Sequence, residues 1–480
     1  MDQAIKLLNT SRPTFYRWLR GGQIKGVKLG RQWRFQREDI ERFLKGQAPR
    51  VELPADIKPL IKTLQERLDG LGVKGAFGAP DDVTGAVSRM IRLGFAMRAS
   101  DLHIAPLLTT VGEKSVAVLQ YRVDGVMNVI AEFDLRLLPA IIEKWKSLAA
   151  CNVQENRRPQ DGRILLNITD VNKPLDLRVS FMPAVMGEAL TARFLDRTAV
   201  VLSLDRFDYP PREMEKIQRW LRTPFGIIIV TGPTGCGKTT TLYACLNQVA
   251  GPKVKVISIE DPVEFLLPWV VQTQLNPGAG VTFATALRST LRSDPDVILV
   301  GEIRDRETLM VTQQCALTGH LVLTTLHTED APSALKRMVD IGTDPFIIAD
   351  STRLIIAQRL VRCLCPECSK EQSPSAELLD QAAELARAGG LDWASLPKNF
   401  RAPVGCPKCN KFGFKGRKAI IEVLEMTPEI GTALRRGASV DELRAIAVGQ
   451  GMTTLLADGM RRAAAGTTTI EEVLHVVGIK

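Results

Sequence analysis

The chain has 480 residues, 45% of them hydrophobic and 24% charged, enough for roughly two to four domains with full-sized cores. No apolar run approaches the roughly eighteen residues of a membrane span, and the N-terminus is polar and basic with no apolar stretch, so neither a transmembrane helix nor a secretory signal is expected. The net charge of +10 is unevenly placed: residues 1–50 hold twelve Lys/Arg and four Asp/Glu, a balance of +8, which leaves +2 for the rest. A basic head on a near-neutral body suggests a polyanionic partner for the head alone.

Residues 1–46 read as a small domain. Ala4, Leu7 and Leu8 suit a short amphipathic helix, and Asn9-Thr10-Ser11 is turn and N-cap material. Arg12 to Arg20 suits a second helix, with Phe15, Trp18 and Leu19 facing a core and Arg12, Tyr16, Arg17 and Arg20 at the surface. Gly21-Gly22 ends it. Val27 to Phe35 alternates around Gly30 as a hairpin wing, and Arg37 to Lys45 closes as a third helix. The stretch Thr14-Phe-Tyr-Arg-Trp-Leu-Arg-Gly-Gly, with Lys28-Leu-Gly-Arg-Gln-Trp-Arg-Phe and Glu38-Asp-Ile, resembles the winged helix-turn-helix domain of excisionase and MerR-type DNA-binding proteins. That resemblance implies DNA contact by the second helix and the wing. The alternative is a reused fold that binds protein, with its charge as a solvated face.

Residues 47–80 read as a linker. Pro49 and Pro54 mark a hinge, Ile57 to Leu68 suits one helix, and Asp69 to Pro80 is rich in glycine. A lobe follows over residues 81–205. Asp81 is expected to cap a helix from Val83 to Phe95, and Arg98-Ala-Ser-Asp-Leu-His-Ile-Ala-Pro106 enters a strand. Val116 to Val123 alternates into Asp124-Gly125, a hairpin signal. Leu135 to Ala150 reads as helix, Arg157-Arg-Pro-Gln-Asp-Gly-Arg163 as a charged loop, and Leu175 to Phe181 as a strand.

Residues 206–480 carry the strongest motifs. Ile227 to Val230 is an unbroken apolar run suited to a buried parallel strand. Gly232-Pro233-Thr234-Gly235-Cys236-Gly237-Lys238-Thr239-Thr240 then matches the P-loop pattern and opens into a helix. Its glycines let backbone N–H groups curl around phosphate oxygens. Lys238 can reach the β- and γ-phosphates of ATP, and the Thr239 hydroxyl can ligate Mg²⁺. Cys236 stands where a small or hydroxyl residue is commoner; its backbone N–H still serves, and its thiol is open to oxidation. Val254 to Ile259 reads as a second buried strand ending in Glu260-Asp-Pro-Val-Glu264. Asp294-Pro-Asp-Val-Ile-Leu-Val-Gly-Glu302 is a third, the Walker B pattern, whose terminal acid orients a magnesium shell. Gly319-His320 opens a fourth, Leu321 to Thr325, which runs into Leu326-His327. Taken singly, Glu264 also suits a helix cap, and a lone histidine a satisfied core group.

Four of the nine cysteines form two Cys-x-x-Cys knuckles, Cys365-Pro-Glu-Cys368 and Cys406-Pro-Lys-Cys409, inside an element spanning residues 363–417. Each knuckle can offer two thiolates to one tetrahedral Zn²⁺; a redox pair is the alternative, and Cys363 is a fifth thiol nearby. Leu378 to Ala388 is expected to fill the gap as a helix. Residues 427–480 suit small helices, with Thr467-Thr-Thr-Ile-Glu-Glu as a capping-box-like start.

From about residue 85 onward, the motif order resembles the secretion ATPase superfamily, the type II secretion and type IV pilus-assembly motors. The matches are Arg-Ala-Ser-Asp-x-His-Ile, Arg122-Val-Asp-Gly, Arg-Pro-Gln-Asp-Gly-Arg, the P-loop, Glu-Asp-Pro-Val-Glu, Val-Gly-Glu-Ile-Arg-Asp and Thr-Gly-His-Leu-Val-Leu-Thr-Thr-Leu-His-Thr. The resemblance implies an α/β RecA-like P-loop core behind an α+β lobe, and Mg²⁺-dependent ATP hydrolysis. It makes Glu264 the general base on the attacking water and Glu302 the support of magnesium. His320 and His327 become sensors of the γ-phosphate or the subunit interface, with Arg288 and Arg292 as further phosphate or interface contacts. The lobe would bring Arg163 and Arg178 to the phosphates; ordinary surface ion pairs are the alternative for these two. The tetracysteine element, which pilus-retraction motors generally lack, points toward assembly or export. A homo-hexamer at the cytoplasmic face of the inner membrane, working on a platform of membrane proteins, is also implied. The competing reading is an ATP-regulated DNA-binding protein acting through residues 1–46.

Overall fold

The computed structural model describes residues 1–20, 23–24, 26–29, 32–35, 37–44, 55–73, 81–108, 115–168, 173–195 and 203–478. The chain divides into two compact units, Met1–Thr198 and Ala199–Lys480.

The first unit opens with helices α1 (Asp2–Leu7) and α2 (Arg12–Arg20), strands β1 (Val27–Leu29) and β2 (Gln32–Arg34), and helix α3 (Arg37–Leu44). Ala4, Phe15, Leu19, Ile24 and Ile40 are buried among them. Phe15 meets Phe35 edge-on at 5.1 Å, and Trp18 packs on Phe43 at 4.9 Å. The wing is an antiparallel pair with Val27 opposite Arg34. Leu7 departs from expectation: it is exposed, so Ala4 carries the buried side of that short helix.

The lobe follows with α4 (Lys58–Gly70), α5 (Val83–Ala96), β3 (Asp101–Leu107), β4 (Val116–Val123), β5 (Val126–Asp134), α6 (Leu138–Leu148), β6 (Gln160–Ile168), β7 (Lys173–Ala184) and β8 (Gly187–Leu195). Its six strands form one antiparallel sheet in the order β5-β4-β3-β8-β7-β6. The register sorts the two faces. Tyr121, Leu102, Ala192 and Val179 share one row, and these side chains are buried with those of α4, α5 and α6. One residue along each strand, the opposite face carries Arg122, Asp101, Arg193, Arg178 and Arg163 in a single row.

Two expectations are corrected here. Residues 58–70 are not linker, because Leu60, Leu64 and Leu68 recur at helical spacing and are buried in the lobe core. The cap of α5 is Asp82, whose carboxylate accepts from the Gly85 N–H at 2.9 Å, while Asp81 lies 3.8 Å from Arg89. Of the stretch expected to be flexible, residues 74–80 lie outside the described residues.

The second unit contains α7 (Pro211–Leu221), β9 (Gly226–Thr231), α8 (Lys238–Val249), β10 (Val256–Glu260), β11 (Val270–Gln274), α9 (Phe283–Thr290), β12 (Val297–Val300), α10 (Arg306–Leu317) and β13 (Leu321–Leu326). Then come α11 (Ala331–Asp340), α12 (Pro345–Ser351), β14 (Thr352–Leu364), β15 (Lys370–Glu371), α13 (Ala376–Ala388), β16 (Arg401–Ala402) and β17 (Phe414–Glu425). Helices α14 (Pro428–Arg435), α15 (Val440–Gly449), α16 (Leu455–Ala464) and α17 (Ile470–Val477) complete it. The main sheet runs β11-β10-β12-β13-β9-β14-β17, parallel except for β17. Ile227 and Ile229 point into one hydrophobic cluster, Ile228 and Val230 into another. That is why the strand reads as an unbroken apolar run: both of its faces are covered.

The start of α17 also differs from expectation. Thr469 is the cap, accepting from the Glu472 N–H at 3.2 Å. Glu472 turns away to Arg362, at 2.6 and 3.0 Å, so no capping box closes.

One buried acid ties the helical tail to the sheet. Glu422 on β17 is 2% exposed and accepts from the Ala331 N–H at 2.8 Å and the Leu455 N–H at 3.2 Å, the first residues of α11 and α16. Burial dominates over these donors and raises its pKa from 4.5 to about 7. The folded state therefore holds this proton more tightly than the unfolded chain does. Its contribution to stability is full below about pH 4.5, declines as pH rises through about 7, and is level above, a loss on the order of 3 kcal/mol. Denaturation across this window should show the decline, and Glu422→Gln should flatten it. An equal slope in the variant would place the titration elsewhere.

Candidate active site

Order in the sheet decides what meets at its C-terminal edge. β12, β13 and β9 are neighbours, so the residues that follow them, Glu302, His327 and the P-loop, lie side by side where α/β sheets receive ligands. A cavity of about 450 Å³ opens there. Its lining includes Gly237, Lys238, Thr239, Glu264, Glu302 and His327.

The loop turns on glycines with φ of +82° at Gly235 and +91° at Gly237, a left-handed region that favours glycine. It delivers α8 with Lys238 as its first residue, and the Lys238 ammonium lies over the loop, donating to the carbonyls of Gly232 at 2.8 Å and Pro233 at 3.1 Å. Burial lowers its pKa, with Cys236 and Glu302 pulling the other way. Thr234, Thr239 and Thr240 also line the cavity. The Cys236 thiol is buried, and burial raises its pKa.

Both glutamates of the Glu-Asp-Pro-Val-Glu segment line the cavity, but they differ in burial and in partners. Glu260 is buried, with Ser258 donating at 2.5 Å, Gln272 at 3.0 Å, and Tyr243 through its hydroxyl. With three donors on it, this carboxylate is part of the scaffold. Glu264 is half-buried at the cavity, and its N–H donates to the same Tyr243 hydroxyl at 3.3 Å. Glu302 accepts from Arg304 and lies 3.1 Å from His327 Nε2. Burial pushes its pKa up, but Arg304 and His327 outweigh burial and leave it lowered, so the carboxylate stays ionised.

Other expected site residues lie elsewhere. His320 is at the opposite end of β13, where its Nδ1 lies 2.9 Å from the Cys315 carbonyl. The six residues of β13 lie between it and His327, a span of roughly 20 Å. Arg288 pairs with Glu307 at 2.8 Å, and Arg292 donates to the Arg288 carbonyl at 3.0 Å; both are exposed and outside the cavity lining. Arg163 belongs to the first unit, where Asp176 holds it through bonds of 2.8 and 2.6 Å, and Arg178 stands opposite it on β7.

Arg417, Leu360 and Thr325 line the cavity without having been expected there. Arg417 lies opposite Arg362 on β14. Because β17 is antiparallel, it starts at the ligand end of the sheet, a placement that sequence spacing does not reveal.

Cys365, Cys368, Cys406 and Cys409 bring all four sulfurs within 4.8 Å of one another, and Cys363 is not among them. Separations of 3.8–3.9 Å are too long for a disulfide and match the edge of a tetrahedron with metal–sulfur bonds of about 2.3 Å. Burial works against a Cys409 thiolate, but N–H groups of Cys406 and Gly413, both at 3.2 Å, outweigh it and bring its pKa down to about 7. These residues fit a structural zinc ion.

A family model described as type II/IV secretion system protein matches residues 81–475, and a helix-turn-helix domain model matches residues 1–48. The chain belongs to the type II/IV secretion system protein family. Among its relatives is type II secretion system protein HxcR of Pseudomonas aeruginosa, 39% identical over 89% of this chain and 83% of the relative. The type IV pilus assembly ATPase PilB of Myxococcus xanthus is 38% identical over 91% of this chain and 75% of the relative. Among solved structures, the Legionella pneumophila ATPase DotB aligns with a TM-score of 0.57 at 21% identity, covering 80% of this chain and 93% of that one. At that identity it speaks for the secretion-family fold alone.

The contrast between the two glutamates is measurable. Glu260→Gln keeps one acceptor oxygen, enough for Ser258 and Gln272 on Oε1, but turns an NH₂ group toward the Tyr243 hydroxyl. At this buried position it should cost about 1–3 kcal/mol of stability, more than Glu264→Gln at the half-buried position. Equal melting curves for the two variants would contradict the division.

Proposed function

We propose that the chain is an ATP-hydrolysing motor of type II secretion or type IV pilus assembly. The observation that carries this reading is one cavity lined by the P-loop lysine, Glu264, Glu302 and His327, in a chain whose relatives include a pilus assembly ATPase over most of its length. The loop's N–H groups and Lys238 bind the phosphates. Thr239 would offer its hydroxyl to magnesium, and Glu302, held ionised between Arg304 and His327, would help to hold that ion. Bound magnesium supplies electrostatic stabilisation of the transferring phosphoryl group. Glu264, half-buried in the cavity lining, takes the proton of the attacking water, while Glu260 holds Ser258, Gln272 and Tyr243 in place.

Arg163 and Arg178 are proposed as phosphate contacts, and His320, Arg288 and Arg292 as contacts between subunits of a homo-hexamer. The domain division at residues 46, 80 and 205 stands as part of this proposal, with α4 reassigned to the lobe. Among the described residues no helix is long and apolar enough to cross a membrane, and the motor is proposed to attach peripherally to an inner-membrane platform. The DNA-binding alternative is not favoured, because the relatives named above are secretion and pilus proteins.

Lys238→Ala should abolish Mg²⁺-dependent ATP hydrolysis by the full chain through lost nucleotide affinity. Glu264→Ala should abolish turnover while retaining nucleotide binding; wild-type turnover in that variant would remove Glu264 from the base role.

Zinc in the cysteine cluster would fix the ends of the insertion between β14 and β17. Elemental analysis should find about one zinc per chain, lost in Cys406→Ser and retained in Cys363→Ser. Zinc-free protein with an unchanged melting temperature would refute the assignment.

A further inference from the structure

Beneath the P-loop lies a buried amide that neither the motif nor the family match assigns. Gln358 on β14 is 1% exposed. Its Nε2 donates to the Cys236 carbonyl at 2.6 Å, and its Oε1 accepts from Thr241 Oγ1 at 2.8 Å and from the Tyr209 hydroxyl at 3.0 Å. Thr241 and Tyr209 are themselves buried. The orientation of the amide is determined, because a backbone carbonyl only accepts and so requires the NH₂ side to face it. A Cβ added at Gly237 would come within 2.8 Å of Gln358 Nε2, so the amide forms the floor directly under the loop.

We infer that Gln358 is a positioning residue for the nucleotide, resting on the ATP reading above: it locks the Cys236–Gly237 peptide so that the Gly237 N–H faces the phosphates. In a trans peptide the C=O and the following N–H point in opposite directions. Pinning the Cys236 carbonyl to the floor therefore turns the Gly237 N–H toward the cavity. Left-handed Gly237 lies next to this peptide, where backbone rotation is least restrained, so the orientation needs an external anchor. Thr241 sits one turn into α8, and its N–H donates to the Gly237 carbonyl at 3.0 Å. Gln358 thus joins the loop, the first turn of the helix and Tyr209 through one side chain.

The test uses the full chain. KM and kcat for MgATP and equilibrium binding of a fluorescent ATP analogue are measured alongside thermal unfolding. Gln358→Met keeps the reach and volume but removes the donor, and should raise KM and the dissociation constant about tenfold with kcat within about threefold of wild type. Gln358→Glu restores a donor only when protonated, so its affinity relative to wild type should recover as pH is lowered. A folded Gln358→Met with wild-type KM would overturn the inference. If the Met variant does not fold, a Gln358→Glu affinity ratio that is flat with pH would overturn it equally. Wild-type protein that binds no nucleotide would instead sink the ATP reading itself.

Discussion

Three hydrogen-bonded strands, β12, β13 and β9, hold the functional edge together. Val300 pairs with Thr324, and Leu326 with Thr231. Each strand is covered on both faces by aliphatic side chains, so the backbone ladder is dry and its register is hard to shift. What emerges at the end of each strand is consequently placed to within the tolerance of a ladder. Further on, Thr328 donates its N–H to Thr231 Oγ1 at 2.9 Å, tying the segment after His327 to the residue just before the P-loop. The loops themselves carry little apolar surface; they inherit their positions from the strands.

The second unit also buries several carboxylates, among them Glu260, Glu422, Asp458 and Glu472, and their hydrogen bonds fix individual elements. Glu260 fixes the start of its loop, Glu422 fixes two helix starts, and Arg362 with Glu472 fixes α17 against β14. Asp458 accepts from the Ile421 N–H at 3.0 Å and from Arg461, joining α16 to β17. Apolar contacts alone would let helices slide along a flat aliphatic face. A buried carboxylate with one set of N–H partners does not permit that, because a shift would leave it desolvated and unpaired.

Legibility followed locality. The P-loop, the Walker B acid and the two cysteine knuckles were readable because each is a short run whose chemistry is complete within a few residues. The cover over the lobe was misread at α4: its Leu60, Leu64 and Leu68 spacing is plain, but the nearby prolines and glycines argued for a linker, and tertiary burial overrode them. The different environments of Glu260 and Glu264 could not be read, because the donors Tyr243, Ser258 and Gln272 come from three separate elements. His320 and His327 look equivalent in a motif, yet a strand crosses from one edge of a sheet to the other, so only its C-terminal residue reaches the ligand edge. Arg417 was missed for the converse reason: its place depends on an antiparallel return that no local pattern encodes.

That return links the cysteine cluster to the cavity. The insertion leaves the sheet after Leu364 and re-enters at Phe414, and these two residues are opposite one another across β14 and β17. Cys365 and Cys409 lie just outside that pair. The Cys365 N–H donates to the Gly413 carbonyl at 2.9 Å, and the Gly413 N–H donates to Cys409 Sγ at 3.2 Å. Closing the cluster therefore fixes where β17 begins. The pairing shifts by one residue between Leu364–Phe414 and Arg362–Arg417. From Arg417 onward a further one-residue slip would carry Arg417 to the opposite face of the sheet and take the Glu422 carboxylate from the N–H groups of Ala331 and Leu455. The cysteine cluster thus sits at the base of a long insertion, at the same end of β17 that carries Arg417 to the cavity.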